Sequence, residues 1–97
     1  MSTMIESGIE SLTELRAEID HIDEQLVQLL VERCHVAEQI GHAKREVGIS
    51  LYDPAREAKV VRRAGEIARD ANIDPEAVRH IMWLVVRMTR YVQKVNS

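Results

Sequence analysis

The feature that most constrains this chain is an unbroken apolar seam in its N-terminal half. Leu12, Leu15, Ile19, Ile22, Leu26, Leu29, Arg33, Val36, Ile40, Ala43 and Val47 follow one another three and four residues apart without a slip. That is heptad spacing, the signature of one long helix with a single apolar stripe, and Arg33 is its one charged member. Ser11 with Glu14 three residues later reads as a capping box, and Gly48 as the stop. A helix of about 35 residues at 1.5 Å each is roughly 50 Å long. A compact globule of about 100 residues has a radius of gyration of only about 13 Å. One chain cannot cover such a stripe with shorter helices, so a two-fold homodimer is expected.

Two more helices are marked by their starts. Asp53-Pro54 and Asp74-Pro75 each place a capping carboxylate before a proline at the first helical position, where its missing N–H costs nothing. The middle helix is expected over about 54–69, with Ala58, Val61, Ala64, Ile67 and Ala68 on its apolar side. The last is expected over about 75–94, through Val78, Ile81, Val85, Met88, Val92 and Val95. Residues 1–10 carry no pattern and are expected to be flexible, leaving 11–97 as one domain. Composition agrees with an all-α fold: four Gly and two Pro in 97 residues argue against a sheet protein. A formal net charge of −3 gives no reason to expect nucleic acid, and no apolar run approaches the roughly 18 residues of a membrane span. Cys34 is alone, which rules out an internal disulfide and points to the reducing cytoplasm.

Charge then appears where apolar residues belong. Lys44 lies eleven residues after Arg33, and at about 100° per residue it returns to within roughly 20° of the same face. Ile40 shares that face, so one line reads cation, apolar wall, cation over roughly 16 Å of axis. Arg33 could instead be a structural ion pair with Glu57 or Asp53, or a snorkelling side chain. Two like charges along one buried face, however, stabilise nothing by themselves and suit a small anion with an apolar body. On the last helix Met82, Val86, Thr89 and Gln93 form a matching row that ends in a hydroxyl and an amide. Asp53, Arg56 and Glu57 crowd the first turn of the middle helix. Arg16, 17 residues before Arg33, is roughly 25 Å away on the same helix, but can approach Arg33 of a second chain in an antiparallel pair. His21, His35, His42 and His80 have no metal-site spacing, and Arg62, Arg63, Arg87 and Arg90 read as solvated face charges. No phosphate loop or nucleophile–base pair is present.

Taken together, these residues resemble the all-helical chorismate mutases. The resemblance spans residues 12–95 and rests on Leu-Arg-x-x-Ile-x-x-Ile-Asp (15–23), Leu-x-x-Arg (30–33), Ile-Gly-x-Ala-Lys (40–44), Asp-x-x-Arg-Glu (53–57) and Thr-x-x-x-Gln (89–93). It implies an intertwined homodimer of three-helix chains that rearranges chorismate to prephenate without cofactor or metal. It further implies that the substrate carboxylates are held by Arg33 and by Arg16 of the other chain. Lys44 would contact a carboxylate and the ether oxygen, and Gln93 would donate to that oxygen from the other side. Asp53 and Glu57 would face the ring hydroxyl, Arg56 would order that end of the pocket, and Ile40 and Val86 would wall it. Thr89 stands where a serine is common.

Two alternatives keep the fold and change the function. Isochorismate pyruvate-lyases resemble these mutases and bind a nearly identical dianion, although the Asp53, Arg56, Glu57 pattern favours the mutase. A non-catalytic helical dimerisation module would explain the seam, but not Arg33, Lys44 and Gln93 on lines that face one pocket.

Overall fold

A computed structural model describes residues 2–95 as three α-helices: α1 (Ser2–Val47), α2 (Pro54–Asp70) and α3 (Pro75–Val95). No strand occurs among the described residues. Residue 1 of the expected span 1–10, and residues 96–97 of the span 11–97, lie outside them. The chain divides after Val31 into two compact units, and α1 supplies the described residues of the first and opens the second.

Both Asp-Pro starts form as expected. The Asp53 carboxylate accepts from the Arg56 backbone N–H at 3.1 Å, and the Asp74 carboxylate accepts from that of Glu76 at 3.0 Å. Each side chain thereby satisfies one of the N–H groups that a helix start leaves unbonded. The start of α1 differs from expectation. It begins at Ser2, so Ser11 and Glu14 lie inside the helix rather than at its cap. Nothing in residues 2–10 breaks a helix except Gly8, whose cost of about 1 kcal/mol a long helix absorbs. Thr13 fits this placement, its hydroxyl donating to the Ile9 carbonyl one turn back at 2.9 Å.

The helix stops share one device. Gly48 has φ +74°, its N–H donates to the Arg45 carbonyl at 3.2 Å, and the N–H of Ile49 donates to the Lys44 carbonyl at 2.8 Å. These are the two bonds of a Schellman motif. Asn72, at φ +60°, ends α2 with the same pair of bonds, from Asn72 to Arg69 and from Ile73 to Ala68. Asparagine tolerates the left-handed region better than most residues.

Packing inside the second unit is close but thin. Its buried side chains are small: Ala37, Ala64, Ala68, Val86 and Thr89. In the first unit Leu12, Leu15, Ile19, Ile22, Leu26 and Leu29 are all between 45% and 60% exposed. The seam is thus a face that this chain leaves open. No helix among the described residues is long and apolar enough to cross a membrane.

The α1 stop yields a direct test. Gly48→Ala forces a side chain into the left-handed region and should destabilise the protein by about 1 kcal/mol. Gly48→Asn should lose less. Urea midpoints ranked wild type, Asn, Ala would support the motif, and an unchanged Ala midpoint would contradict it.

Candidate active site

One cavity of about 440 Å³ lies in the second unit, between the C-terminal part of α1, the α1–α2 connection, the start of α2 and the last turns of α3. That volume is inside the range of about 300–1,000 Å³ usual for small-molecule sites. Arg33, Ile40 and Lys44 line it from α1, so the face deduced from helical spacing is the face that forms the pocket. Asp53, Arg56 and Glu57 line it from the start of α2, and Val86, Thr89 and Gln93 from α3. Met82, the first member of the α3 row, faces a separate groove along α2 instead. Arg16 is an exposed residue of α1 in the first unit.

Each polar group is held in a definite way. Arg33 donates to the hydroxyl of Thr89, which is itself only 3% exposed. That hydroxyl lies 3.0 Å from the Val85 carbonyl and 3.1 Å from that of Val86, so it can donate back to its own helix while accepting from Arg33. Lys44 donates to the Leu51 carbonyl at 3.2 Å. An ammonium has three N–H donors, so this bond steers the group and leaves two for a ligand. The Schellman turn at Gly48 is what folds the connection back far enough for Leu51 to reach Lys44.

Gln93 is placed by a close helix crossing. A Cβ on Gly41 would stand 3.2 Å from the Gln93 carbonyl oxygen and 3.4 Å from its Cα, so only glycine lets α3 come this near without a shift. Arg45 also donates to that carbonyl, at 3.3 Å. The side-chain Oε1 of Gln93 is buried and has no hydrogen-bond partner. Buried polar atoms are nearly always paired, so this unpaired oxygen on a lining residue is a candidate contact for a ligand. A half-turn of the amide presents N–H instead of oxygen to the same point.

The acids are already engaged. Asp53 caps α2. Glu57 accepts two bonds of 2.9 Å from Arg90, one on each oxygen, and so is not the structural partner that Arg33 might have had. Arg90 corrects the sequence reading, because it lines the cavity rather than standing as a solvated face charge. Only its neighbour Thr89, on the recognised row, hinted at this. Val36, Ala37, Leu51 and Val60 complete the apolar lining. The result is a pocket with Arg33, Lys44 and Arg56 facing space, its carboxylates balanced or capping, and apolar walls. Chemically it can bind and orient a small polyanion. Among the described residues no group of three His, Cys, Asp or Glu is placed to hold a metal ion.

Comparison with known proteins finds relatives over most of the chain. The chain is 30% identical over 86 residues to a chorismate mutase of Methanocaldococcus jannaschii, covering 89% of this chain and 87% of that one. It is 37% identical over 84 residues to a 3-dehydroquinate dehydratase of Pyrobaculum aerophilum, but spans only 24% of that protein's length. Against three further relatives it spans 21% or less. A solved structure of a conserved hypothetical protein from Pyrococcus furiosus superposes with a TM-score of 0.69 at 36% identity, covering 86% of this chain and 95% of that one. The chorismate mutase type II family model matches residues 15–94, which takes in every helix that lines the cavity, and the chain belongs to that family.

Proposed function

We propose that residues 11–97 form a chorismate mutase domain that rearranges chorismate to prephenate in phenylalanine and tyrosine biosynthesis. The observation that carries this reading is that Gln93, with its side-chain Oε1 unpaired, lines the same cavity as the steered ammonium of Lys44. The reaction is intramolecular: one C–O bond breaks while one C–C bond forms, and no outside acid, base or nucleophile takes part. Its demands are orientation of the enolpyruvyl arm over the ring and stabilisation of negative charge on the ether oxygen. Lys44 and Gln93 meet the second demand as donors to that oxygen. Arg33 meets the first by holding a carboxylate, with Thr89 fixing its guanidinium. Glu57 and the Asp53 backbone face the ring hydroxyl, Arg56 orders that end, and Ile40 and Val86 press on the apolar ring faces.

The second carboxylate is assigned to Arg16 of a second chain. The open seam from Leu12 to Leu29 supports a homodimer, since covering that apolar face removes a large area from water. An antiparallel pairing along α1 brings Arg16 toward the other chain's Arg33. The same reading places the enzyme in the cytoplasm, where the single Cys34 stays a thiol.

Four measurements test this. Lys44→Ala should lower kcat/KM for chorismate by at least about 10²–10³ with helicity unchanged; near-normal turnover would exclude its role. Isochorismate assayed beside chorismate should release little pyruvate, whereas faster turnover of isochorismate would favour the lyase. Gln93→Glu should move activity toward acid. A carboxyl titrates near about pH 4.3 and donates only when protonated, so activity should fall as the pH rises through that range. A pH profile like that of the wild type would remove Gln93 from the ether oxygen. For the shared site, mixing inactive Arg16→Ala and Lys44→Ala chains should restore part of the activity, because one site of each mixed dimer is then intact. No restoration, in a sample shown to contain mixed dimers, would confine each site to one chain.

A further inference from the structure

An anion-binding pocket that also contains an acid poses a problem. The Glu57 side chain is only 13% exposed, so little water separates its carboxylate from a bound anion. Arg90 supplies the balancing charge through a two-bond fork, Nε to Oε2 and Nη2 to Oε1, each 2.9 Å. Such bidentate pairs fix direction as well as charge. The guanidinium also lies over two aromatic rings: its carbon is 4.9 Å from the Tyr52 ring centre and 6.0 Å from that of Trp83. Aromatic faces attract cations at these distances. Arg90 is therefore tied to a carboxylate and two rings.

We infer that Arg90 is a positioning residue, the counter-ion that allows Glu57 to serve in a pocket for a dianion and that turns its carboxylate toward the substrate hydroxyl. The inference rests on the proposed reading of the pocket. Each carboxylate oxygen has two lone pairs, and the fork occupies one on each, so Glu57 can still accept from a ring hydroxyl. Without Arg90, an unbalanced carboxylate would face the two carboxylates of the substrate. That repulsion acts on ground and transition states alike, so its effect falls on KM rather than kcat.

The test is steady-state kinetics on wild type, Arg90→Leu, Glu57→Gln and the double variant, each shown to be folded by circular dichroism. Arg90→Leu should raise KM for chorismate about tenfold or more and change kcat less than about threefold. Adding Glu57→Gln to that background should return KM to the value of Glu57→Gln alone, since no charge is left to balance. A wild-type KM in Arg90→Leu would overturn the inference. So would a KM that stays raised in the double variant, which would mean that Arg90 meets the substrate directly. If Arg90→Leu does not fold, Arg90→Gln takes its place: it keeps a polar side chain but loses the balancing charge, and its KM should lie above that of wild type. An unchanged KM there would also overturn the inference. Wild-type protein without chorismate turnover would defeat the reading of the pocket, and this inference with it; a silent Arg90 variant beside an active wild type would defeat the inference alone.

Discussion

How near α3 comes to α1 decides whether this chain has a site. At Gly41 a hydrogen stands where any other residue would put a carbon 3.2 Å from the Gln93 carbonyl. Close crossing at that point sets Gln93 into the cavity wall, and one turn earlier it brings the buried Thr89 hydroxyl against Arg33. Ala37, Ala64 and Ala68 serve the same end elsewhere, because small side chains let backbones approach. The cavity is the space left when helices meet at their smallest residues and long polar side chains lean inward. Bulk at any of these contacts would widen the pocket before it unfolded the protein, since overpacking costs only about 1–3 kcal/mol.

Charge in the site is divided by what the backbone already uses. Asp53 is committed to the start of α2 and Glu57 to Arg90, so the acids contribute geometry while the cations keep their donors. Lys44 is the clearest case of structure and chemistry sharing parts. Its carbonyl closes the Schellman turn by accepting from Ile49, and its ammonium is steered by Leu51 three residues beyond the glycine of that turn. The end of the helix and the aim of the lysine are thus one arrangement.

Much of this was legible beforehand because local rules govern it. Asp-Pro pairs and Gly48 mark helix ends through capping and φ preference, which depend only on neighbours. Helical spacing predicted a shared face for Arg33, Ile40 and Lys44, because rotation per residue does not depend on tertiary contacts. Arg90 could not be read in this way. Its neighbours in space, Glu57 and Tyr52, are 33 and 38 residues away in sequence, so its position depends on how α2 and α3 pack. The early start of α1 is masked differently: Ser11 and Glu14 mimic a capping box, although Ile5 and Ile9 already carry the four-and-three spacing into Leu12. Gly41 was visible as part of a motif, but its reason, a backbone that must come close, is visible only in three dimensions.

Trp83 has a consequence beyond packing. It is the chain's one tryptophan, it lies 6.0 Å from the guanidinium that balances Glu57, and it is 39% exposed. Indole emission responds to charge close to the ring, and the Arg90–Glu57 pair is such a charge arrangement. The molecule therefore carries its own optical gauge of charge in the site, readable in unlabelled protein and separable from the two tyrosines by excitation wavelength.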